Sequence, residues 1–300
     1  MVTLVMSYST RQIRVLGAAK INLYLDVLRR REDGYHEIET FMQPVGLWDE
    51  ISIELRGTGI ELAGDDPMIA WDEGNLCYRA AERLLERAQG DVGLRIFVKK
   101  RIPHGAGLGG GSSDAAALLV GLNELMNMGL GEDELAEIGL TLGSDVPFFI
   151  RGVPAVGRGR GEELRAESGL ESGWILLVKP EVSVSTGWAY RNLKIGLTRS
   201  GGEDTLGRLI EGLRRFPEVE LKTWNSFTEP VTKSFPEIDA VLATLRDSGA
   251  ILSAMSGSGS ACFALFGEYD RAAEVHRLFT GEGLFTEIVR PVDRAVILLR

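Results

Sequence analysis

The segment Pro103-His104-Gly105-Ala106-Gly107-Leu108-Gly109-Gly110-Gly111-Ser112-Ser113-Asp114-Ala115-Ala116 runs from a glycine-dense loop straight into an apolar-striped helix. Glycine has no Cβ, so such a loop accepts positive φ and lets backbone N–H groups approach an anion closely. The N-terminus of the helix adds unpaired N–H donors and the positive end of its macrodipole. Together they make a phosphate cradle. Ser112 and Ser113 are expected to supply a helix cap and spare hydroxyls, and the alanines keep the helix slim enough to pack close under the loop. Gly105-x-Gly107-x-x-Gly110 matches the dinucleotide fingerprint formally, but Pro103 and His104 separate the strand-like Leu94–Val98 from the first glycine, and the helix opens on serines. No Gly-Lys-Ser/Thr follows, so this is not a Walker loop either.

An anionic ligand would have to be held by local donors, because the 300-residue chain carries a formal net charge of −10. The same charge argues against nucleic acid or an anionic membrane surface as partner. The two cysteines, Cys77 and Cys262, stand in apolar contexts without CxxC spacing and read as reduced core residues, and the three histidines lack ligand spacing. No leader pattern and no run of membrane-spanning length appears, which points to a cytoplasmic enzyme. The first ten residues read as an extension or a misassigned start. No heptad or self-complementary strip specifies an oligomeric state.

Strand-like alternation comes first, at Ile13–Leu16, Ile21–Val27 and Ile51–Leu55. Asn75 caps a predicted helix through Leu85. After strand Leu94–Val98 and the glycine loop, a helix carries Leu118, Leu122 and Leu125 on one face, and Glu132–Leu142 forms another. Phe148–Ile150 reads as a short strand, and the glycine–arginine run at 157–163 as a turn near a lobe boundary. The second half offers strands at Ile175–Val178, Ile251–Ala254, Ala261–Phe266, Phe285–Val289 and Ala295–Leu299, and helices at Thr205–Arg215, Pro236–Asp247 and Asp270–Leu278. Strands precede clustered helices, the order of an α+β protein, here with an N-terminal lobe over 11–165 and a C-terminal lobe over 166–300.

Three segments stand in order: Ala18-Ala19-Lys20-Ile21-Asn22-Leu23, the glycine–serine loop, and Met255-Ser256-Gly257-Ser258-Gly259. Together they resemble the three motifs of the GHMP small-molecule kinases. Asp33-Gly34-Tyr35-His36 with Thr40, Gly109–Ser113, Gly143-Ser144-Asp145-Val146-Pro147-Phe148-Phe149 and Asn225-Ser226-Phe227-Thr228-Glu229-Pro230 resemble the 4-diphosphocytidyl-2-C-methyl-D-erythritol kinase branch. Two departures stand out: that family more often has alanine at position 144, and the last stretch carries one extra residue and lacks an aspartate. The resemblance implies a two-lobed α+β fold with the active site between the lobes. It also implies use of ATP, with Mg²⁺, to phosphorylate the 2-hydroxyl of the cytidine-diphosphate-linked methylerythritol, a step of non-mevalonate isoprenoid synthesis.

On that resemblance Asp145 is the general base and Lys20 its cationic partner. Asn22 lies two residues on, on the same strand face, and is assigned to substrate. Pro103, Gly105, Gly107, Leu108, Gly109, Gly110, Gly111, Ser112 and Ser113 hold the ATP phosphates; no metal ligand is named. Tyr35 and Tyr190 form an aromatic sandwich for the pyrimidine, His36 meets its edge, and Gly257 lets the second small-residue loop close over the acceptor. Lys99, Lys100 and Arg101 read as a solvated charge run. Two alternatives stay open: another GHMP kinase directed at mevalonate or a sugar, or a catalytically silent nucleotide-binding module.

Overall fold

Strands β1 (Gln12–Arg30) and β2 (His36–Leu55) pair as one long antiparallel hairpin. The computed structural model describes residues 12–88, 92–193, 205–216, 221–281 and 283–299; the first ten residues of the chain lie outside that range. The two strands expected at 13–16 and 21–27 are therefore a single strand. Gly17, Ala18 and Ala19 between them are small because a helix crosses closely: a Cβ on Gly17 would stand 2.7 Å from Ser113 Oγ.

In the first half follow β3 (Ile60–Gly64), α1 (Leu76–Leu85), β4 (Leu94–Lys99), α2 (Gly110–Met126), α3 (Glu132–Leu142), α4 (Val146–Arg151), β5 (Ala155–Arg158) and β6 (Glu163–Ala166). The second half holds β7 (Trp174–Lys179), α5 (Thr186–Asn192), α6 (Thr205–Arg214), α7 (Thr228–Ser234), α8 (Pro236–Asp247), β8 (Leu252–Met255), β9 (Cys262–Phe266), α9 (Tyr269–Phe279), β10 (Phe285–Val289) and β11 (Val296–Leu299). One sheet runs β11-β1-β2-β4-β3, with β5 joined to β2 and β6 to β5; the other runs β10-β7-β9-β8. The chain has the α+β architecture expected of it. The last strand crosses back to the first lobe, where Leu16 faces Ile297.

Helix α2 covers the first sheet. Its Ala115, Ala116, Ala117, Leu118 and Leu122 are fully buried, and a Cβ on Gly121 would meet Val15 Cγ2 at 2.5 Å. This close approach brings the glycine loop down onto β1, where the Lys20 N–H donates to the Leu108 carbonyl (3.0 Å). The core forms three apolar clusters, and β1 feeds all of them: Val15 and Ala18 the first, Ile21 and Leu23 the second, Leu25 and Val27 the third.

One element changes type. Phe148–Ile150 is not a strand but part of α4. Every residue from Val146 to Ile150 is buried, so the run carries no period to read. Pro147 sits in the first turn, where its fixed φ suits a helix, and Gly152 ends it at φ +70°.

Candidate active site

A cleft of about 1160 Å³ opens where the two lobes meet. From the first lobe come Lys20 and Asn22 on β1, Tyr35 and His36 at the β1–β2 turn, the glycine loop, and Asp145 before α4. Tyr190 on α5, Phe227, and Gly257, Ser258 and Gly259 close it from the second. Of the residues expected at the site, Leu108 and Ser113 are the exceptions: both are buried beneath the loop and do not line the cleft.

Lys20 and Asn22 lie between two register shifts of the β1–β2 ladder, at Ala18/Ala19 and Asn22/Tyr24. Such bulges re-aim side chains locally. Both residues are buried. The Lys20 ammonium donates to Asn22 Oδ1 (2.5 Å), Asn22 Nδ2 to Thr40 Oγ1 (2.8 Å), and Thr40 Oγ1 to the Tyr24 carbonyl (2.7 Å). Burial lowers the Lys20 pKa, and the charge of Asp145 partly restores it. Asp145 is half-buried and acts on Lys20 through space, without a direct ion pair among the described residues. A cation held there can stabilise a developing alkoxide.

The glycine loop meets the second loop face to face. Gly107 has φ +77°, and a Cβ there would stand 2.1 Å from the Ser256 carbonyl; one on Gly257 (φ +58°) would stand 3.1 Å from the Gly107 carbonyl. Ser256 Oγ accepts from Asn22 N–H (3.3 Å) and donates to the Gly107 carbonyl (2.9 Å), tying β1 to both loops. Asn225 clamps the second loop, its Nδ2 donating to the carbonyls of Met255 (2.8 Å) and Gly257 (2.9 Å). The sequence singled out the Asn225 segment without a role; the clamp is that role.

Helix α2 starts at Gly110, and its N-cap is Gly109 at φ +76°, so neither serine caps it. Ser112 lies in the first turn and lines the cleft, whereas Ser113 turns its hydroxyl toward Gly17. Of the expected solvated run at 99–101, Lys99 and Arg101 are exposed, and Lys100 alone is corrected. Lys100 is buried and donates to both Asp49 and Asp114 (2.6 Å to the latter), and Asp49 Oδ1 accepts from the N–H groups of Arg101 (2.5 Å) and Ile102 (2.8 Å). Burial and the neighbouring Asp49 raise the Asp114 pKa well above the usual carboxylate range, even against the pull of Lys100. The triad thus closes the floor below α2 with a fixed cation.

The aromatic group also differs from expectation. His36 stacks on Tyr190 (centroids 4.5 Å apart, planes 19° off parallel), and Tyr190 meets Phe227 edge-on. Tyr35 is exposed and lies under the Arg160 guanidinium, 3.9 Å from its ring centroid. Each tyrosine ring is therefore stacked on a side chain of the protein. Burial, helped by Arg30, lowers the His36 pKa. Burial and the charge of Asp145 push the Tyr190 hydroxyl up to about 12.

The chain matches the family model for the GHMP kinases N terminal domain over residues 75–153 and that for the GHMP kinases C terminal over 197–279. It is 41% identical over 283 residues to the 4-diphosphocytidyl-2-C-methyl-D-erythritol kinase of Geobacter sulfurreducens, covering 94% of this chain and all of that one. The chain belongs to the GHMP kinases. The enzyme of the same name from Acetivibrio thermocellus is 42% identical to this GHMP kinase over 256 residues, 85% of this chain and 90% of the relative. A crystal structure of 4-(cytidine 5'-diphospho)-2C-methyl-D-erythritol kinase superposes with a TM-score of 0.78 at 37% identity, covering 92% of this chain and 98% of that one. A homoserine kinase from Cytophaga hutchinsonii shares the fold (TM-score 0.76) at 19% identity, over 99% of this chain and all of that one. This GHMP kinase is thus an ATP-dependent small-molecule phosphotransferase. Among the described residues no helix is long and apolar enough to cross a membrane.

Proposed function

We propose that this kinase transfers the terminal phosphoryl group of ATP to the 2-hydroxyl of 4-diphosphocytidyl-2-C-methyl-D-erythritol, a step of non-mevalonate isoprenoid synthesis. The full-length likeness to relatives of that name carries the reading. The cleft supports it, since an aromatic cluster and a lysine–carboxylate pair flank one continuous space.

The N–H groups from Gly107 to Ser112, at the mouth of α2, cradle the nucleotide phosphates. Ile69, Trp71 and Leu76, with Asn75, line the cleft near that loop and offer an apolar seat for adenine. Asp145 accepts the proton of the acceptor hydroxyl. The oxygen then attacks the γ-phosphorus, the bond from that phosphorus to the β,γ-bridging oxygen breaks, and ADP departs. Lys20 stabilises the incipient alkoxide, while Asn22 fixes the lysine in place. Mg²⁺ suits the oxygen donors near the loop, the Ser112 hydroxyl and the Asp145 carboxylate, which line the cleft. No group of three or more His, Cys, Asp or Glu gathers for a metal among the described residues. The ion would therefore ride chiefly on the nucleotide's phosphates and neutralise their charge.

The test is ATP consumption by the purified protein with Mg²⁺, comparing the cytidyl acceptor with mevalonate, homoserine and galactose. Turnover confined to the cytidyl compound is expected. Turnover only with another acceptor would keep the phosphotransfer chemistry and discard the cytidine reading.

A further inference from the structure

The cleft of this acidic chain is lined by several cations. Lys100 is spent on Asp49 and Asp114, and Lys20 is bonded to Asn22 with Asp145 nearby. Arg30, Arg160 and Arg191 also line the cleft, and none of them forms an ion pair among the described residues. Arg30 and Arg191 are exposed and Arg160 is half-buried with Asp33 in electrostatic reach, so the three present a positive field along which an anion can be held.

Arg160 is the best placed of the three. Its guanidinium covers the ring of Tyr35, 3.9 Å from the centroid, and its Nη2 donates to Ser144 Oγ (3.3 Å). Ser144 directly precedes Asp145. One side chain therefore touches the aromatic end of the cleft and the residue beside the reacting carboxylate. Its Nε is buried without a hydrogen-bond partner. The backbone beneath is fixed: Arg160 N–H donates to Glu162 Oε2 (2.5 Å), and the Gly159 carbonyl accepts from Ile38 N–H (2.8 Å), pinning the β5–β6 turn to β2.

The acceptor proposed above has three parts in series: a pyrimidine nucleoside, a diphosphate, and the tetritol that carries the hydroxyl. With the base among the aromatics and the hydroxyl at Asp145, the diphosphate must span the gap that Arg160 bridges. We propose that Arg160 binds the acceptor's diphosphate and so sets both its register in the cleft and the preference for a nucleoside diphosphate over a nucleoside. This rests on the cytidyl-acceptor reading. A planar guanidinium presents paired N–H donors that match phosphate oxygens, which a lysine's single ammonium does not.

The experiment is calorimetric titration of the full chain with CDP and with cytidine, its ATP site filled by a non-hydrolysable ATP analogue. Wild type is compared with Arg160→Gln and Arg160→Lys. Charge-assisted bonds to phosphate predict that Arg160→Gln weakens CDP binding by about 10- to 100-fold. Cytidine affinity should stay within about twofold, since no phosphate contact is lost. In turnover the acceptor KM should rise by a similar factor, with kcat and the ATP KM little changed, and Arg160→Lys should fall between. Equal losses for CDP and cytidine would assign Arg160 to the support of Tyr35 and overturn the proposal, as would unchanged CDP binding in both variants. Should Arg160→Gln fail to fold by circular dichroism, Arg160→Lys decides on the same criteria. A wild type that binds CDP no better than UDP or GDP would instead overturn the cytidyl reading, and this inference with it.

Discussion

At the scale of single residues, the proposed chemistry rests on a carboxylate and a lysine that influence each other without a direct ion pair. Removing the charge of Asp145 while keeping its shape should abolish most of the chemistry and little of the binding. Asp145→Asn is expected to lower kcat by about 10²- to 10⁴-fold, the usual worth of a positioned general base, with the ATP KM within about threefold of wild type. Steady-state kinetics checks this. Lys20 gives a pH signature. Its pKa is depressed by burial, so the cation is lost at lower pH than for an ordinary lysine. The alkaline limb of the kcat profile should therefore fall below the ordinary lysine range. Lys20→Met, which cannot titrate, should lower kcat throughout and remove that limb. The sign for stability is opposite: in the window between the folded and unfolded pKa values the unfolded chain binds the extra proton, so stability rises with pH there. Urea unfolding of wild type against Lys20→Met across that window reads it.

Among the elements, the interlocked pair of small-residue loops is the least tolerant part of the molecule. Gly107→Ala adds a Cβ 2.1 Å from the Ser256 backbone carbonyl at φ +77°, and no side-chain rotation relieves that overlap. A loss of about 3 kcal/mol in urea unfolding is expected, from left-handed strain and overpacking together. The ATP KM should rise by about tenfold, since the displaced loop is the proposed phosphate cradle. Gly111→Ala is the contrast: its Cβ would meet Leu76 Cδ1 at an ordinary 3.8 Å, and its unfolding midpoint should match wild type. Features carried by local sequence were legible without the structure. Asn75 caps α1, α3 and α8 have the bounds their periodicity implied, and the glycine loop opens α2. Features that depend on distant partners were not. Lys100 finds Asp49 fifty-one positions and Asp114 fourteen positions away, which a basic run cannot reveal. Arg160 hides in a glycine–arginine turn, and α4 hides because complete burial erases the alternation that separates helix from strand.

Over the molecule as a whole, the two lobes are not independent units. The β1–β2 hairpin contributes to both, and the Leu25 N–H and carbonyl bond to the Trp224 carbonyl and Ser226 N–H in the second half of the chain. β11 returns to the edge of the first sheet, with Ala18 N–H donating to the Ala295 carbonyl (2.8 Å). Removing residues 294–300 should therefore destabilise the first sheet, by about 3 kcal/mol or more from the lost ladder and its packing. Far-UV circular dichroism and tryptophan fluorescence should still report one shared transition, and two separated transitions would show that the lobes fold apart. The pairing of Leu16 with Ile297 also bears on how the protein is made. During synthesis on the ribosome, β1 emerges long before its neighbour, since Ile297 follows Leu16 far along the chain. Until then its outer edge stays open, so the nascent polypeptide offers an unpaired strand to chaperones, or to another copy of itself, while the intervening chain is made.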